Sequence, residues 1–205
     1  MLTVTDLACV RGYVQLFRGI SFSLQSGVLL HLKGANGSGK TSLLRLVCGL
    51  GQPASGQVSW RGTPIRALGE EYYRDVFYLG HANGLKDELN AVENLCIAAR
   101  LAGEAASVAR ANEALRRLGL EECKSLPTKL LSQGQKRRSA LARLLFTAKP
   151  LWILDEPFAA LDSGAVVLLE GVLDTHLAAG GMVLLTSHQE VNVKIAARHA
   201  IGLTL

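Results

Sequence analysis

Residues 34–41 read Gly-Ala-Asn-Gly-Ser-Gly-Lys-Thr, the pattern G-x-x-x-x-G-K-[ST], and few folds can present such a run usefully. Glycines at 34, 37 and 39 let successive backbone N–H groups turn toward one point, where β-carbons would keep a phosphate away. Lys40 adds positive charge for the outer phosphate oxygens, and Thr41 a hydroxyl suited to Mg²⁺. The apolar run 28–33 before the loop reads as a buried strand. Leu43, Leu44, Leu46, Val47 and Leu50 after it fall at helical spacing. Strand, loop and helix in that order place the positive end of a helix dipole at the loop. Gly34, Ala35, Asn36, Gly37, Ser38, Gly39, Lys40, Thr41 and Ser42 are therefore the candidate nucleotide-binding residues.

The rest of the chain supplies a scaffold of the α/β class. Runs 2–8 and 20–24 read as strands, as do 58–60 and 76–79, with a turn at 62–64. From about 89 to 118 the composition shifts to Ala, Leu, Arg and Glu, which predicts two or three helices broken near Gly103. A helix is expected from about 132 to 147, a fully apolar strand at 151–154, a helix at 165–177 and a strand at 182–186. Short apolar strands between helices imply a parallel sheet covered on both faces. At 205 residues, the expectation is one domain over 1–205 with a helical lobe inserted at approximately 85–130.

With 49% hydrophobic and 19% charged residues, long disorder is excluded, and the low charge hints that some surface is meant to be covered. No run approaches the length of a membrane-spanning helix, and residues 1–6 lack the features of a secretory leader, so a cytosolic location is expected. Cys9, Cys48, Cys96 and Cys123 show no metal-ligand spacing and read as reduced thiols. The net charge of +5 is scattered, which favours a solvated basic surface over a nucleic-acid face.

Three further motifs carry chemistry. The apolar strand 151–154 ends in Asp155-Glu156, at the strand end where open α/β sheets hold ligands. Asp155 is placed to orient Mg²⁺ and Glu156 to polarise an attacking water as general base. Leu-Ser-Gln-Gly-Gln at 131–135 leads into a basic helix, with Ser132 suited to an N-cap. Ala160-Leu161-Asp162 and Thr186-Ser187-His188 follow.

This order of motifs resembles the ATP-binding cassette ATPases, and the resemblance covers the whole chain. It implies a P-loop NTPase fold of that type, with a parallel core sheet, an antiparallel β subdomain and an inserted helical subdomain. It also implies an Mg²⁺-dependent ATPase in which two copies sandwich two ATP molecules. Ser132, Gly134 and Gln135 would face the γ-phosphate held by the other copy, Asp162 would link the two sites, and His188 would contact the γ-phosphate and the Glu156 region. His31, His176 and His199 lack such a context and read as structural.

Departures from the family pattern are informative. Where the family places a glutamine that ligates Mg²⁺, this chain has Gly80-His81, so His81 is the candidate metal ligand beside Thr41 and Asp155. Gln133 stands where most members have Gly. The position of the adenine-stacking aromatic aligns with Arg11, with Tyr13 as the alternative platform. The stretches NGSGKTSLLRLVCGL, YLGHANGLKDELNAVENL, LSQGQKRRSALARL and LWILDEPFAALD resemble the subfamily that serves bacterial cytochrome c maturation. Its implied partners are integral membrane permease subunits of that system, at the cytoplasmic face of the inner membrane. The implied task is haem export or release of a haem-loaded chaperone. The chain has no CxxCH and no evident haem site of its own. An ATPase subunit of another small-molecule or metal exporter would share every motif. A translation or DNA-repair cassette would need a second cassette or a nucleic-acid insertion, and a non-hydrolysing ATP sensor would not need Glu156.

Overall fold

The computed structural model describes residues 1–193 with their side chains and the backbone of Arg198–Gly202; the side chain of His199 is outside the described residues. In chain order the strands are β1 (Leu2–Arg11), β2 (Val14–Leu24), β3 (Leu29–Lys33), β4 (Ser55–Trp60), β5 (Thr63–Pro64), β6 (Val76–Leu79), β7 (Leu151–Leu154), β8 (Met182–Thr186) and β9 (Arg198–Gly202). The helices are α1 (Lys40–Val47), α2 (Ile65–Leu68), α3 (Glu70–Asp75), α4 (Ala91–Leu101), α5 (Val108–Arg117), α6 (Gln133–Leu141) and α7 (Ser163–Ala178).

Two sheets form. An antiparallel sheet runs β2-β1-β4-β5, and a parallel sheet runs β6-β7-β8-β3-β9. The strand period of two divides β7 cleanly. Leu151 and Ile153 join one apolar cluster with α1 and the antiparallel sheet, whereas Trp152 and Leu154 join the other with α4, α5, α6 and α7. All four side chains are buried, which is why the run carries no polar alternation.

The expected helix over 132–147 stops as an α-helix at Leu141 and tightens into a 3-10 turn at Ala142–Leu145. That change of pitch seats Leu144 and Phe146 in the helical cluster, and Pro150 bars the helix from running on into β7. The helical stretch after residue 89 is two helices, separated by the segment around Gly103. All four cysteines are free.

Two histidines pack against this core, His31 buried and His176 half-buried. The His176 ring stacks on Trp152 with centroids 3.6 Å apart and planes 6° from parallel, and His31 Nε2 faces Ser187 O at 2.9 Å. Burial pushes both below their ordinary 6.5. The unfolded chain therefore binds more protons than the folded one as pH falls. Stability is full above the unfolded value and is lost as pH drops below 6.5 toward the folded values. Thermal melts should show the loss, at up to about 1.4 kcal/mol per pH unit for each histidine, and His176→Gln should flatten the slope.

Candidate active site

Strand register brings the motifs together. Leu32 lies beside Thr186, and Leu154 lies between Leu79 and Leu185, so the segments leaving β3, β6, β7 and β8 emerge along one sheet edge. There they enclose a cleft of about 510 Å³ lined by residues 36–42 with Arg11, Leu16, His81, Asp155, Glu156, Ala159 and His188. That size suits a nucleotide-sized ligand. A crevice of about 580 Å³ between the end of α1, β4 and α3 lacks both the phosphate loop and the carboxylates.

The loop is shaped for an anion. Gly39, at φ 93°, holds a left-handed backbone that favours glycine, and a β-carbon there would crowd Phe17 Cδ1 at 3.0 Å and Leu16 Cβ at 3.3 Å. Ser38 Oγ is buried and has no hydrogen-bond partner among the described residues, an orphan that phosphate oxygens would satisfy. Lys40 Nζ donates to Gly34 O at 2.7 Å and to Ala35 O at 3.0 Å, so the ammonium is held over the loop by its own carbonyls.

The carboxylates are tied to the loop through hydroxyls. Thr41 Oγ1 donates to Asp155 Oδ2 at 2.8 Å, and Thr186 Oγ1 donates to Asp155 Oδ1 at 2.9 Å while accepting from Glu156 N at 2.9 Å. Asp155 is only 2% exposed. Burial, with the Asp155 charge second, pushes the Tyr78 phenol up to about 12. Glu156 has φ 49°, a left-handed backbone that a non-glycine side chain adopts only under constraint. Its Oε1 lies 3.5 Å from His188 Nε2, and among the described residues that oxygen makes no hydrogen bond.

A hydroxyl and a carboxylate converging beside a phosphate loop are hard oxygen donors of the kind Mg²⁺ takes. Among the described residues no group of three His, Cys, Asp or Glu is gathered to hold a metal.

Other sequence candidates lie elsewhere. Tyr13 projects fully into solvent from the β1–β2 turn, whereas Arg11 lines the cleft. Ser132, Gly134, Gln135 and Asp162 are outside the cleft of their own chain. Ser132 and Gln135 form a capping box, with Gln135 N donating to Ser132 Oγ at 3.2 Å and Ser132 N to Gln135 Oε1 at 2.8 Å. Asp162 caps α7 by accepting from Ala165 N at 2.8 Å. A β-carbon on Gly134 would lie 2.8 Å from Ala160 O, while Gln133 is exposed, so of these two positions only 134 demands glycine.

Behind the cleft, Thr186 and Arg137 bond to the Asp155–Glu156 turn and Asn83 bonds to Arg137, contacts that the order of residues along the chain does not reveal. In place of a solvated basic face, the three consecutive cations of α6 go to three places. Lys136 lies 3.8 Å from Asp87, Arg138 donates to Leu118 O and Gly119 O at 3.2 Å, and Arg137 turns inward toward Asp155 and Glu156.

The sequence pattern of the family described as ABC transporter matches residues 17–159. The cytochrome c biogenesis ATP-binding export protein CcmA of Nitrosospira multiformis is 50% identical over 199 residues, spanning 97% of each chain. Its namesake in Nitrosomonas europaea is 50% identical over 204 residues, covering 100% of this chain and 96% of the other. Among solved structures, an ATP-binding subunit of an ABC transporter superposes with a TM-score of 0.79 at 30% identity, covering 91% of this chain and 79% of that one. A dimeric ATP-binding cassette in a post-hydrolysis state with ADP and Pi superposes with a TM-score of 0.84 at 22% identity, covering 98% and 94%.

Proposed function

The chain belongs to the ABC transporter family, in the group of the cytochrome c biogenesis ATP-binding export proteins, and we propose that its ATP hydrolysis drives a membrane complex of cytochrome c biogenesis, as haem export or release of a haem-loaded chaperone. The observation that carries the chemistry is the junction of Thr41, Asp155 and Thr186, which sets the Glu156 carboxylate beside the phosphate loop.

Lys40 and the loop amides bind the β and γ phosphates of ATP. Thr41 and Asp155 would hold Mg²⁺, with His81 as a further ligand from the same cleft. When bound, Mg²⁺ neutralises charge on the β and γ oxygens and fixes their direction. Glu156 takes a proton from the attacking water as that oxygen bonds to the γ-phosphorus and ADP leaves with the bridging oxygen. His188, 3.5 Å from Glu156, orients the carboxylate and meets the γ-phosphate. Arg11 is the platform for the adenine ring.

Ser132, Gly134, Gln135 and Asp162 lie outside their own cleft and would act in a dimer, facing the nucleotide of a second copy. The helical lobe at about 85–130 and the His81 loop would receive the permease subunits. The chain would dock on them at the cytoplasmic face of the inner membrane; among the described residues no helix is long and apolar enough to cross a membrane. In its native host, the tagged chain should co-purify from membranes with haem-handling integral subunits. Deleting its gene should abolish covalently haem-bound cytochromes c. Co-purification with an unrelated permease, or normal cytochromes after deletion, refutes the assignment.

A further inference from the structure

We propose that Arg137 is a positioning residue for hydrolysis, whose guanidinium fixes the turn that aims Glu156 and ties that turn to the His81 loop and to helix α6. The proposal rests on the function just given. Arg137 is only 4% exposed. Its Nη2 donates to Asp155 O and Glu156 O, both at 2.8 Å, and its Nε donates to Pro157 O at 3.3 Å. Its Nη1 donates to Gly80 O at 3.2 Å and to Asn83 Oδ1 at 3.1 Å. A planar fork of N–H donors is needed to serve so many acceptors at once, and lysine has no such fork.

Three successive carbonyls, at 155, 156 and 157, meet one cation because Glu156 turns left-handed there. The bonds to Arg137 compensate for the cost of that conformation. Without them the turn can relax, and the carboxylate moves with the backbone that carries it. A displacement of about 1 Å from the productive geometry suffices for a hundredfold loss of rate.

Burial lowers the Arg137 pKa, and the Asp155 and Glu156 charges oppose part of that shift. The same residue reaches the loop of His81 through Gly80 and Asn83. Its helix begins at the Ser132 capping box, about 7.5 Å along the axis at 1.5 Å per residue. A shift at the exposed start of α6, where a second copy would bring its nucleotide, therefore reaches the Glu156 turn through one rigid element.

The test compares Arg137→Lys and Arg137→Ala with the parent in the purified membrane complex. Arg137→Lys should lower kcat about 30-fold with the KM for ATP within about threefold. Methylguanidinium added to Arg137→Ala should restore about tenfold of its lost rate, as it refills the vacated fork. An unchanged kcat overturns the proposal. So does a fall of kcat together with a rise of KM and no response to methylguanidinium, the signature of a merely structural role. If Arg137→Ala does not fold, Asn83→Ala, which removes one bond, should lower kcat several-fold at constant KM, and an unaltered kcat there is equally fatal. Glu156→Gln run alongside keeps the two readings apart. Full turnover in that variant refutes the general-base assignment itself, whereas its inactivity beside a fully active Arg137→Lys refutes only the role of Arg137.

Discussion

Glu156→Gln is expected to slow ATP turnover on the order of a thousandfold while ATP still binds. The amide keeps the size of the carboxylate but cannot accept a proton from water. The contacts that hold Glu156 in place run through its backbone: N to Thr186 Oγ1 and O to Arg137 Nη2. The turn should therefore survive the substitution. The lost charge removes the side-chain pairing with His188 at 3.5 Å and the weaker attraction to the buried Arg137 and His31. Single-turnover hydrolysis and equilibrium binding of a fluorescent ATP analogue measure the two quantities separately. With a closed but unreactive site, an ATP-bound dimer should also persist longer on size-exclusion chromatography. Turnover within a few-fold of the parent would sink the general-base assignment.

The second large effect is on binding. Lys40→Ala should weaken ATP affinity about a hundredfold, corresponding to the loss of about 3 kcal/mol of charge-assisted hydrogen bonding. In the parent the ammonium already sits over the loop, held by Gly34 O and Ala35 O, so little reorganisation precedes phosphate capture. Removing it leaves two carbonyls at a half-exposed position free to be solvated, and the fold should lose little. A melting temperature close to the parent's, with binding lost in isothermal titration, is the expected pair of results. Retained micromolar binding would mean that the loop amides alone carry the phosphates.

The contrast between these two residues and Arg137 shows what a sequence can reveal. Lys40 and Glu156 belong to motifs in which each residue type has a local reason, so their chemistry is legible in the order of residues alone. The strand at 151–154 is legible for the same kind of reason, because burial on both faces removes polar alternation. Arg137 stands between Lys136 and Arg138 in a run that reads as a basic surface, and only the packing of α6 against the turn after β7 turns it inward. Thr186 is visible as part of a motif, but its bridge from Asp155 to Glu156 depends on the register of β7 with β8. Helices α2 and α3 escape a sequence reading because four and six residues are too few to display a period. The change of pitch at Ala142–Leu145 escapes it because the apolar pattern runs through unbroken.

The three cations of α6 have a further bearing on how such a chain can vary. Successive helical residues point about 100° apart, so Lys136, Arg137 and Arg138 reach the loop at Asp87, the turn at Glu156 and the end of α5 from adjacent positions. Inserting or deleting a single residue between Ser132 and Lys136 would rotate all three at once and send each to a wrong neighbour. The segment between α4 and α5 is held more lightly, chiefly by Glu104, which accepts from Thr147 Oγ1 and Ala148 N at 3.3 Å, and should accept changes of length more readily. Length variation in this protein should thus be tolerated between those helices and forbidden across the start of α6.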